Sequence, residues 1–191
     1  LYEHLWKAAT HLTDRTGERG LCIVDFGDWN DSLTGVCREG RGESVWLTEC
    51  VCWALREMAE LAALAGRAGD AERAVKSWRR LAEALLENAF DRKAGYFVRA
   101  FDDDGRRIGA PECEEGRIYL NPQSWAVLAG LPELDSKAVD RALDTAMREL
   151  KTPYGYLLLA PAYTRYDWHV GRITGMEPGS AENASVYCHA N

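Results

Sequence analysis

The sequence predicts a mainly α-helical fold, and three observations support this prediction. Residues 70–90 and residues 136–150 place apolar side chains at intervals of three and four, the spacing of one helix face. Residues 44–65 are instead apolar on nearly every face, which indicates a helix that is buried on most sides. Such a helix is typical of the inner layer of a fold built from two layers of helices.

The strongest predicted feature is a pair of antiparallel helices. Ser44 can cap the helix over 44–65, because a serine hydroxyl accepts a hydrogen bond from the first helical turn. A turn at 66–70 then leads into the helix over 70–90. A short connection of this kind places two helices side by side as a hairpin.

The remaining elements are weaker. Helices are expected over 2–13 and 122–130, and a small β-hairpin is expected around 95–109, where aromatic and β-branched residues precede an Asp-rich turn. The acidic run at 102–104 lacks the alternating acidic positions and distant Glu of a calcium loop, so a solvated turn is favoured. Residues 153–182 show little periodicity, and long irregular stretches inside compact folds are often functional.

Composition excludes several classes of partner. The chain has 191 residues, with 23 Lys and Arg against 30 Asp and Glu, and a net charge of −7. Without a dense basic stripe, neither nucleic acid nor an anionic membrane surface is an expected partner. The apolar runs are far shorter than the roughly 20 residues of a membrane span, and we expect a cytoplasmic protein.

The cysteine pattern does not predict a metal site. Six cysteines are present, but none forms a C-x-x-C pair or has a histidine at a zinc-like spacing. We expect them to be reduced residues that pack inside a cytosolic protein.

A loop at 27–31, Gly-Asp-Trp-Asn-Asp, holds two carboxylates, an amide and an indole within five residues. An indole stacks on a sugar ring, amides and carboxylates bind hydroxyls, and a carboxylic acid can protonate a glycosidic oxygen. The same residues also suit an Asx-rich turn in which Trp29 fills part of the core. The residue types alone leave both interpretations open.

A second polar cluster, residues 178–189, lies near the end of the sequence. Glu182 and Asn183 stand where a Gly- and Ser-rich loop is predicted to become a helix. His189 follows Glu182 by seven residues, so it would lie two turns along the same helix face. This arrangement suits a polar ligand, including an anion. The alternative is a helix cap formed by Ser180 beside a surface histidine.

Five motifs occur in an order that is found in one enzyme family. They are Gly27–Asp31, Gly40–Leu47, Leu120–Ala126, Gly175–Gly179 and Glu182–His189. Over roughly residues 20–191 the sequence resembles the inverting disaccharide phosphorylases of glycoside hydrolase family 94. That family includes cellobiose, chitobiose and cellobionic acid phosphorylases and the phosphorylase domain of cyclic β-1,2-glucan synthases.

The resemblance implies a reaction. A β-linked disaccharide or oligosaccharide is cleaved by inorganic phosphate with inversion, which gives an α-sugar 1-phosphate and releases an acceptor sugar. Phosphate is itself the nucleophile, so one carboxylic acid suffices where an inverting hydrolase needs a second carboxylate. By resemblance Asp31 is that general acid, and it must carry a proton when the reaction begins. No cofactor or metal is expected, and phosphate is the co-substrate.

The resemblance also assigns binding residues. Trp29 lines the donor-sugar subsite, Glu182 contacts sugar hydroxyls near the acceptor side, and His189 binds phosphate. The remaining motif residues assigned to substrate binding are Asp28, Asn30, Gln123 and Asn183, with Gln123 in a supporting role. Ser32 follows the Asp-Trp-Asn-Asp motif where Gly, Ala or Cys is common in the family.

The fold that the resemblance implies is an (α/α)6 barrel, in which six helical hairpins surround a central pit. Twelve helices need more than 191 residues, and only about six helical segments are predicted here. We therefore expect residues 1–191 to form a single partial catalytic domain, truncated at both ends and nearly inactive alone. The complete protein is expected to be a homodimer.

Two other functions fit the same residues. An inverting hydrolase would need a carboxylate opposite Asp31, and Asp167 and Glu115 are candidates. A non-catalytic, carbohydrate-binding helical domain would keep the motifs without using Asp31 as an acid.

Overall fold

The computed structural model describes residues 1–191 and confirms a mainly α-helical fold. The five α-helices are α1 (Tyr2–Asp14), α2 (Val45–Leu64), α3 (Ala68–Ala84), α4 (Leu120–Leu128) and α5 (Pro132–Leu150). Helix α3 continues into a wider π-helical turn over Leu85–Ala89. None of these helices combines the length and the apolar composition that a membrane span requires.

The predicted hairpin of α2 and α3 is confirmed. Ser44 has an extended backbone, and its hydroxyl accepts a hydrogen bond of 2.9 Å from the amide of Leu47, so it caps α2 as expected. Gly66 adopts a left-handed conformation with φ of 71°, which ends α2 and reverses the chain. The two helices pack along their lengths and contribute Leu55 and Leu81 to the main apolar core.

The strands are short and form four small sheets. They are β1 (Glu43–Ser44), β2 (Phe90–Asp91), β3 (Tyr96–Phe97), β4 (Ala100–Phe101), β5 (Arg107–Ile108), β6 (Ile118–Tyr119), β7 (Lys151–Thr152), β8 (Gly155–Tyr156) and β9 (Leu159–Ala160). All pairs are antiparallel, in the arrangements β1-β4-β5, β2-β3, β6-β9 and β7-β8.

The predicted β-hairpin around 95–109 is confirmed in its second half. Strands β4 and β5 pair across the Asp-rich turn, with Ala100 opposite Ile108. Strand β3 pairs instead with β2, because Gly95 at φ of 80° turns the chain back on the segment that precedes it. Strand β1 joins the other edge of β4 and places Ser44 opposite Ala100.

The irregular segments are anchored by a second apolar core. Val24 and Leu33, which flank the loop 25–32, both belong to this core, together with Ile108 on β5 and Ile173. Both ends of the loop are therefore fixed by burial of apolar side chains. The larger core lies between α2, α3, α4 and α5.

The prediction of a helix that carries both Glu182 and His189 is wrong. Residues 180–184 form turns and residues 185–187 are irregular, and a single 3-10 turn forms over Cys188–Ala190. Ala181 and Ala184 have φ values of 46° and 60°, which a right-handed helix does not allow. Glu182 and His189 therefore do not share a helix face.

Candidate active site

Asp28 lies in a buried ion pair with Arg99, which stands between β3 and β4. The distance between Asp28 Oδ1 and Arg99 Nη2 is 2.5 Å, and the side chains are 1% and 0% exposed. The backbone amide of Asn30 donates to the same Oδ1 at 2.9 Å, which closes an Asx turn. Ser44 Oγ donates to Oδ2 at 2.5 Å. Asp28 is thus enclosed by the protein and organises its own loop.

Arg99 binds three residues of the site, Asp28 and Asn30 in the loop and Ser44 at the start of α2. Its Nε and Nη2 donate to Oδ1 of Asn30 at 3.1 and 2.9 Å, and its Nη1 donates to Oγ of Ser44 at 3.2 Å. A buried guanidinium is tolerated only where charge and hydrogen-bond partners surround it, and Asp28 supplies the charge. Because Ser44 also caps α2, the start of this helix is tied to the loop 27–32.

Arg99 lies outside the sequence motifs and has no role predicted from them, although the sequence contains a signal for it. It is the single charged residue in the aromatic and apolar run 96–101. A charge inside a run that is destined for the core requires a buried partner of opposite charge. That reasoning predicts a partner but does not say that it is Asp28, which lies 71 residues away.

Glu182 is joined to both neighbours of Asp31. Asn30 Nδ2 donates to Glu182 Oε2 at 2.9 Å, and Ser32 Oγ donates to the same oxygen at 2.6 Å. Asn30 and Ser32 are both fully buried, whereas Asp31 between them is exposed. The loop therefore turns its predicted acid outward from a fixed support.

Three neighbouring aromatic rings connect Trp29 in the loop to His189. Trp29 meets Tyr187 edge-to-face, with ring centroids 5.6 Å apart, and Tyr187 lies 5.4 Å from the ring of His189. Edge-to-face contact is a favourable arrangement for aromatic rings. His189 is exposed, as is Asp31. The structure thus brings Trp29, Asp31, Glu182 and His189 to one region, although the predicted helix is absent.

Gln123 and Asn183 occupy buried positions and bind main chain. Gln123 accepts from the amide of Phe97 at 2.9 Å and donates to its carbonyl at 2.8 Å, as a neighbouring strand would. Asn183 binds the amide and carbonyl of Tyr163 in the same way, at 2.8 Å each. Its Nδ2 also donates to the carbonyl of Met176 at 2.7 Å. These two predicted binding residues thus hold the segments that surround the site.

Glu49 is the second acidic side chain close to Arg99. It lies on α2, is fully buried, and neither of its carboxyl oxygens has a hydrogen-bond partner. Burial raises the pKa of this carboxyl well above its usual value, and the nearby charge of Arg99 only partly opposes that effect. Since neither oxygen of Glu49 has a hydrogen-bond partner, Asp28 is the carboxylate that pairs with the guanidinium.

The carboxylates considered for a hydrolase lie in a separate cleft, which also contains Arg106 and Arg165. Asp167 is paired with Arg106 at 2.9 Å. Glu115 accepts a hydrogen bond of 3.1 Å from the amide of Thr164, and its bonds to this residue lower its pKa. No residue of the loop 27–32 lines this cleft.

The six cysteines are all free, and no cluster of three or more His, Cys, Asp or Glu side chains is placed to hold a metal ion. Cys22 and Cys52 are fully buried in the main core. Burial raises the pKa of Cys22 to about 11. These two thiols are packing groups, as predicted.

Comparison with known proteins gives relatives over the whole chain. A family model described as the catalytic domain of the glycosyl hydrolase 94 superfamily matches residues 1–191. A 3-O-beta-D-glucopyranosyl-beta-D-glucuronide phosphorylase of Paenibacillus borealis is 38% identical, over 100% of this chain and 24% of the relative. A solabiose phosphorylase of the same organism is 39% identical, over 99% of this chain and 24% of the relative. A cellobionic acid phosphorylase of Neurospora crassa is 35% identical, over 100% of this chain and 24% of the relative.

Two solved structures share the fold at low sequence identity. A GH78 family rhamnosidase of Bacillus sp. GL1 matches with a TM-score of 0.56 and 20% identity, over 72% of this chain and 14% of that protein. A sialidase matches with a TM-score of 0.62 and 13% identity, over 85% of this chain and 15% of that protein. The chain spans about a quarter of the length of its curated relatives. Since the family model matches all 191 residues, the chain belongs to the glycosyl hydrolase 94 superfamily.

Proposed function

We propose that this chain takes part in the inverting phosphorolysis of a β-linked disaccharide or oligosaccharide, with Asp31 as the general acid. The supporting relatives are phosphorylases by name. The observation that carries the assignment to Asp31 is its placement. It is an exposed carboxyl group between two buried residues, Asn30 and Ser32, which are both bound to Glu182.

In the proposed reaction a phosphate oxygen attacks the anomeric carbon from the face opposite the glycosidic oxygen. The bond between the anomeric carbon and that oxygen breaks, and its electron pair moves to the oxygen, which takes the proton of Asp31. The products are the α-sugar 1-phosphate and the free acceptor sugar, and Asp31 remains as a carboxylate that regains a proton from solvent. The reverse direction transfers the sugar to an acceptor. No cofactor is required, and phosphate is the co-substrate.

The other residues are assigned by position. Trp29 is half-buried and presents an indole beside Asp31, where it can stack on the donor sugar. Glu182 uses Oε2 to hold the loop, which leaves Oε1 for sugar hydroxyls. His189 is exposed and can bind phosphate. The buried polar side chains of the motifs support these groups; they are Asp28, Asn30, Gln123 and Asn183.

We further propose that the helices contribute part of an (α/α)6 barrel and that the complete enzyme is a homodimer. The first half of helix α2 is buried, and the antiparallel pair that α2 forms with α3 fits the inner and outer layers of such a barrel. The likeness to the rhamnosidase and the sialidase supports a shared helical architecture.

The test uses the protein encoded by the full open reading frame that contains this chain. α-Glucose 1-phosphate and its N-acetylated analogue are screened against a panel of acceptor sugars, and phosphate release is followed. Asp31→Asn is expected to lower the rate about 10²- to 10⁴-fold, the usual contribution of a general acid. The matched control is Asp104→Asn, which changes an exposed carboxylate on the β4–β5 turn and leaves the rate unchanged.

Two outcomes would favour the other functions. Turnover without phosphate that is lost in Asp167→Asn or Glu115→Gln would indicate a hydrolase. An unchanged rate in Asp31→Asn would indicate that Asp31 is not the acid, as expected for a carbohydrate-binding domain. The placement of Asp167 and Glu115 in a separate cleft favours phosphorolysis.

A further inference from the structure

We propose that Arg99 is a positioning residue that sets the direction of the Asp31 carboxyl group, acting through Asn30 and Asp28. This inference rests on the proposed phosphorolysis, in which Asp31 must point its proton at the glycosidic oxygen. Arg99 makes no contact with Asp31, so its influence passes through the main chain of the loop.

The protein gives the Asp31 side chain no support. The carboxyl group is exposed and makes no hydrogen bond within the chain. The position of the side chain and the direction of its Cα–Cβ bond are therefore set by the backbone on either side of it. Catalysis depends strongly on such alignment, and a misplacement of 1 Å can cost about 10²-fold in rate.

The backbone on both sides of Asp31 is fixed by hydrogen bonds. The amide of Leu33 donates to the carbonyl of Asn30 at 3.0 Å, so Asp31 and Ser32 form the corner of a tight turn. The carbonyl of Ser32 accepts a bond of 3.0 Å from the amide of Ile173, which fixes one end of the corner. The other end depends on the side chain of Asn30.

Arg99 holds the Asn30 end of this turn. Two of its nitrogens bind Oδ1 of Asn30, at 3.1 and 2.9 Å, and this leaves Nδ2 to bind Glu182. Arg99 thereby orients the amide, so that the oxygen faces the guanidinium and the nitrogen faces the carboxylate. Its ion pair with Asp28 holds the loop at a second point, two residues earlier.

Only an arginine fits position 99. The planar guanidinium reaches Asp28, Asn30 and Ser44 at once, with Nη1, Nη2 and Nε directed to different acceptors. A lysine ammonium is a compact charge on a flexible stem and cannot reproduce this fork. Glu49, the other buried acidic side chain nearby, makes no hydrogen bond to the guanidinium.

The experiment compares two leaving groups in the full-length enzyme, at saturating phosphate. One substrate carries a sugar leaving group, which needs the proton of Asp31, and the other is the 2,4-dinitrophenyl β-glycoside of the same donor sugar. Dinitrophenolate leaves without a proton. Arg99→Lys is expected to lower kcat about 10²-fold on the sugar substrate and by less than about threefold on the dinitrophenyl substrate.

A merely structural role would lower both rates by the same factor, and that result would overturn the proposal. Arg107→Lys is the matched control, because Arg107 lies on the neighbouring strand β5 and pairs with Asp91 and Glu112. It is expected to leave both rates unchanged. If Arg99→Lys does not fold, Asn30→Ala tests the same link, since it keeps the Arg99–Asp28 pair and removes the connection to Asp31. Equal losses on both substrates in this variant would also overturn the proposal.

Asp31→Asn separates this inference from the function on which it rests. If Asp31→Asn lowers kcat only on the sugar substrate, Asp31 is the general acid. If Arg99→Lys then lowers kcat equally on both substrates, Arg99 does not position that acid. An unselective effect of Asp31→Asn in an active enzyme rejects the acid itself.

Discussion

The hydroxyl of Ser32 donates a hydrogen bond of 2.6 Å to the carboxylate of Glu182, a residue that lies 150 positions later in the sequence. Asn30 donates to the same oxygen. Hydrogen bonds to an ionised carboxylate are stronger than those between neutral groups. The two predicted motifs are therefore connected through one carboxylate oxygen, with Asp31 between the two donors.

Ser32→Ala is expected to destabilise the protein while retaining phosphorolysis. The variant removes one of the two donors from a half-buried carboxylate, which costs about 1–3 kcal/mol. Asn30 still holds Glu182, so the loop keeps its course. Thermal denaturation of the full-length protein should show a lower Tm. Ser124→Ala is the control, because that hydroxyl bonds only to the carbonyl of Asn121 in its own helix. Equal Tm values for the two variants would contradict the prediction.

Trp29→Ala is expected to raise the KM for the sugar substrate about tenfold, the equivalent of roughly 1.4 kcal/mol of binding. The indole is half-buried and is available to stack on a sugar ring. Its edge-to-face contact with Tyr187 also supports the ring next to His189, so the KM for phosphate should rise as well. Trp29→Phe keeps an aromatic ring and should raise the KM for the sugar substrate by a smaller factor.

Steady-state kinetics with both substrates checks this prediction. The control is Trp168→Ala, since Trp168 is exposed, lies beside the ring of His169 and lines the cleft that contains Asp167. An unchanged KM for the sugar in Trp29→Ala would show that the indole does not line the donor subsite.

The helices could be predicted because their signals are local. Apolar periodicity and a capping serine locate α2 and α3 within a few residues of their observed bounds. The expected helix after residue 180 failed because its conformation is set by distant partners. Asn183 binds the main chain of Tyr163 and Met176. Ala181 and Ala184 adopt left-handed conformations, which a sequence normally signals with glycine, so the turn could not be recognised from the residue types.

The site could be predicted as a set of motifs but not as an arrangement. Several residues of the motifs lie together in the fold, such as Trp29 near His189 and Asn30 against Glu182. Which of them would be buried was not visible, because burial depends on the course of remote segments. Arg99 was missed for the same reason, since its partners come from other parts of the chain.

Cys22 and Cys52 are expected to resist alkylation in the folded protein. Both are fully buried, and burial raises the pKa of Cys22 to about 11. Only the thiolate is an effective nucleophile, so reaction at pH 8 is disfavoured by both access and protonation. Iodoacetamide labelling followed by peptide mass spectrometry should find both cysteines unmodified until the protein is denatured. Labelling of Cys22 in the native protein at the rate seen after denaturation would contradict its placement.

The buried carboxyl of Glu49 should make the stability of the protein depend on pH. Its pKa is raised in the folded state by burial. Below about pH 4.5 the residue is protonated in both states. Above that value the unfolded state releases the proton while the folded state keeps it. The free energy of unfolding therefore falls as pH rises, by about 1.4 kcal/mol per pH unit, until the folded group ionises.

Glu49→Gln isolates this contribution because glutamine has nearly the same shape and cannot ionise. The variant should exceed the wild type in Tm by an amount that grows as the pH rises above about 5. Glu57→Gln, an exposed position on the same helix, should show no such trend, which separates the effect of burial from the loss of one negative charge. A Tm difference for Glu49→Gln that stays constant across this range would mean that Glu49 ionises in the folded protein. The guanidinium of Arg99 would then face two carboxylates instead of one.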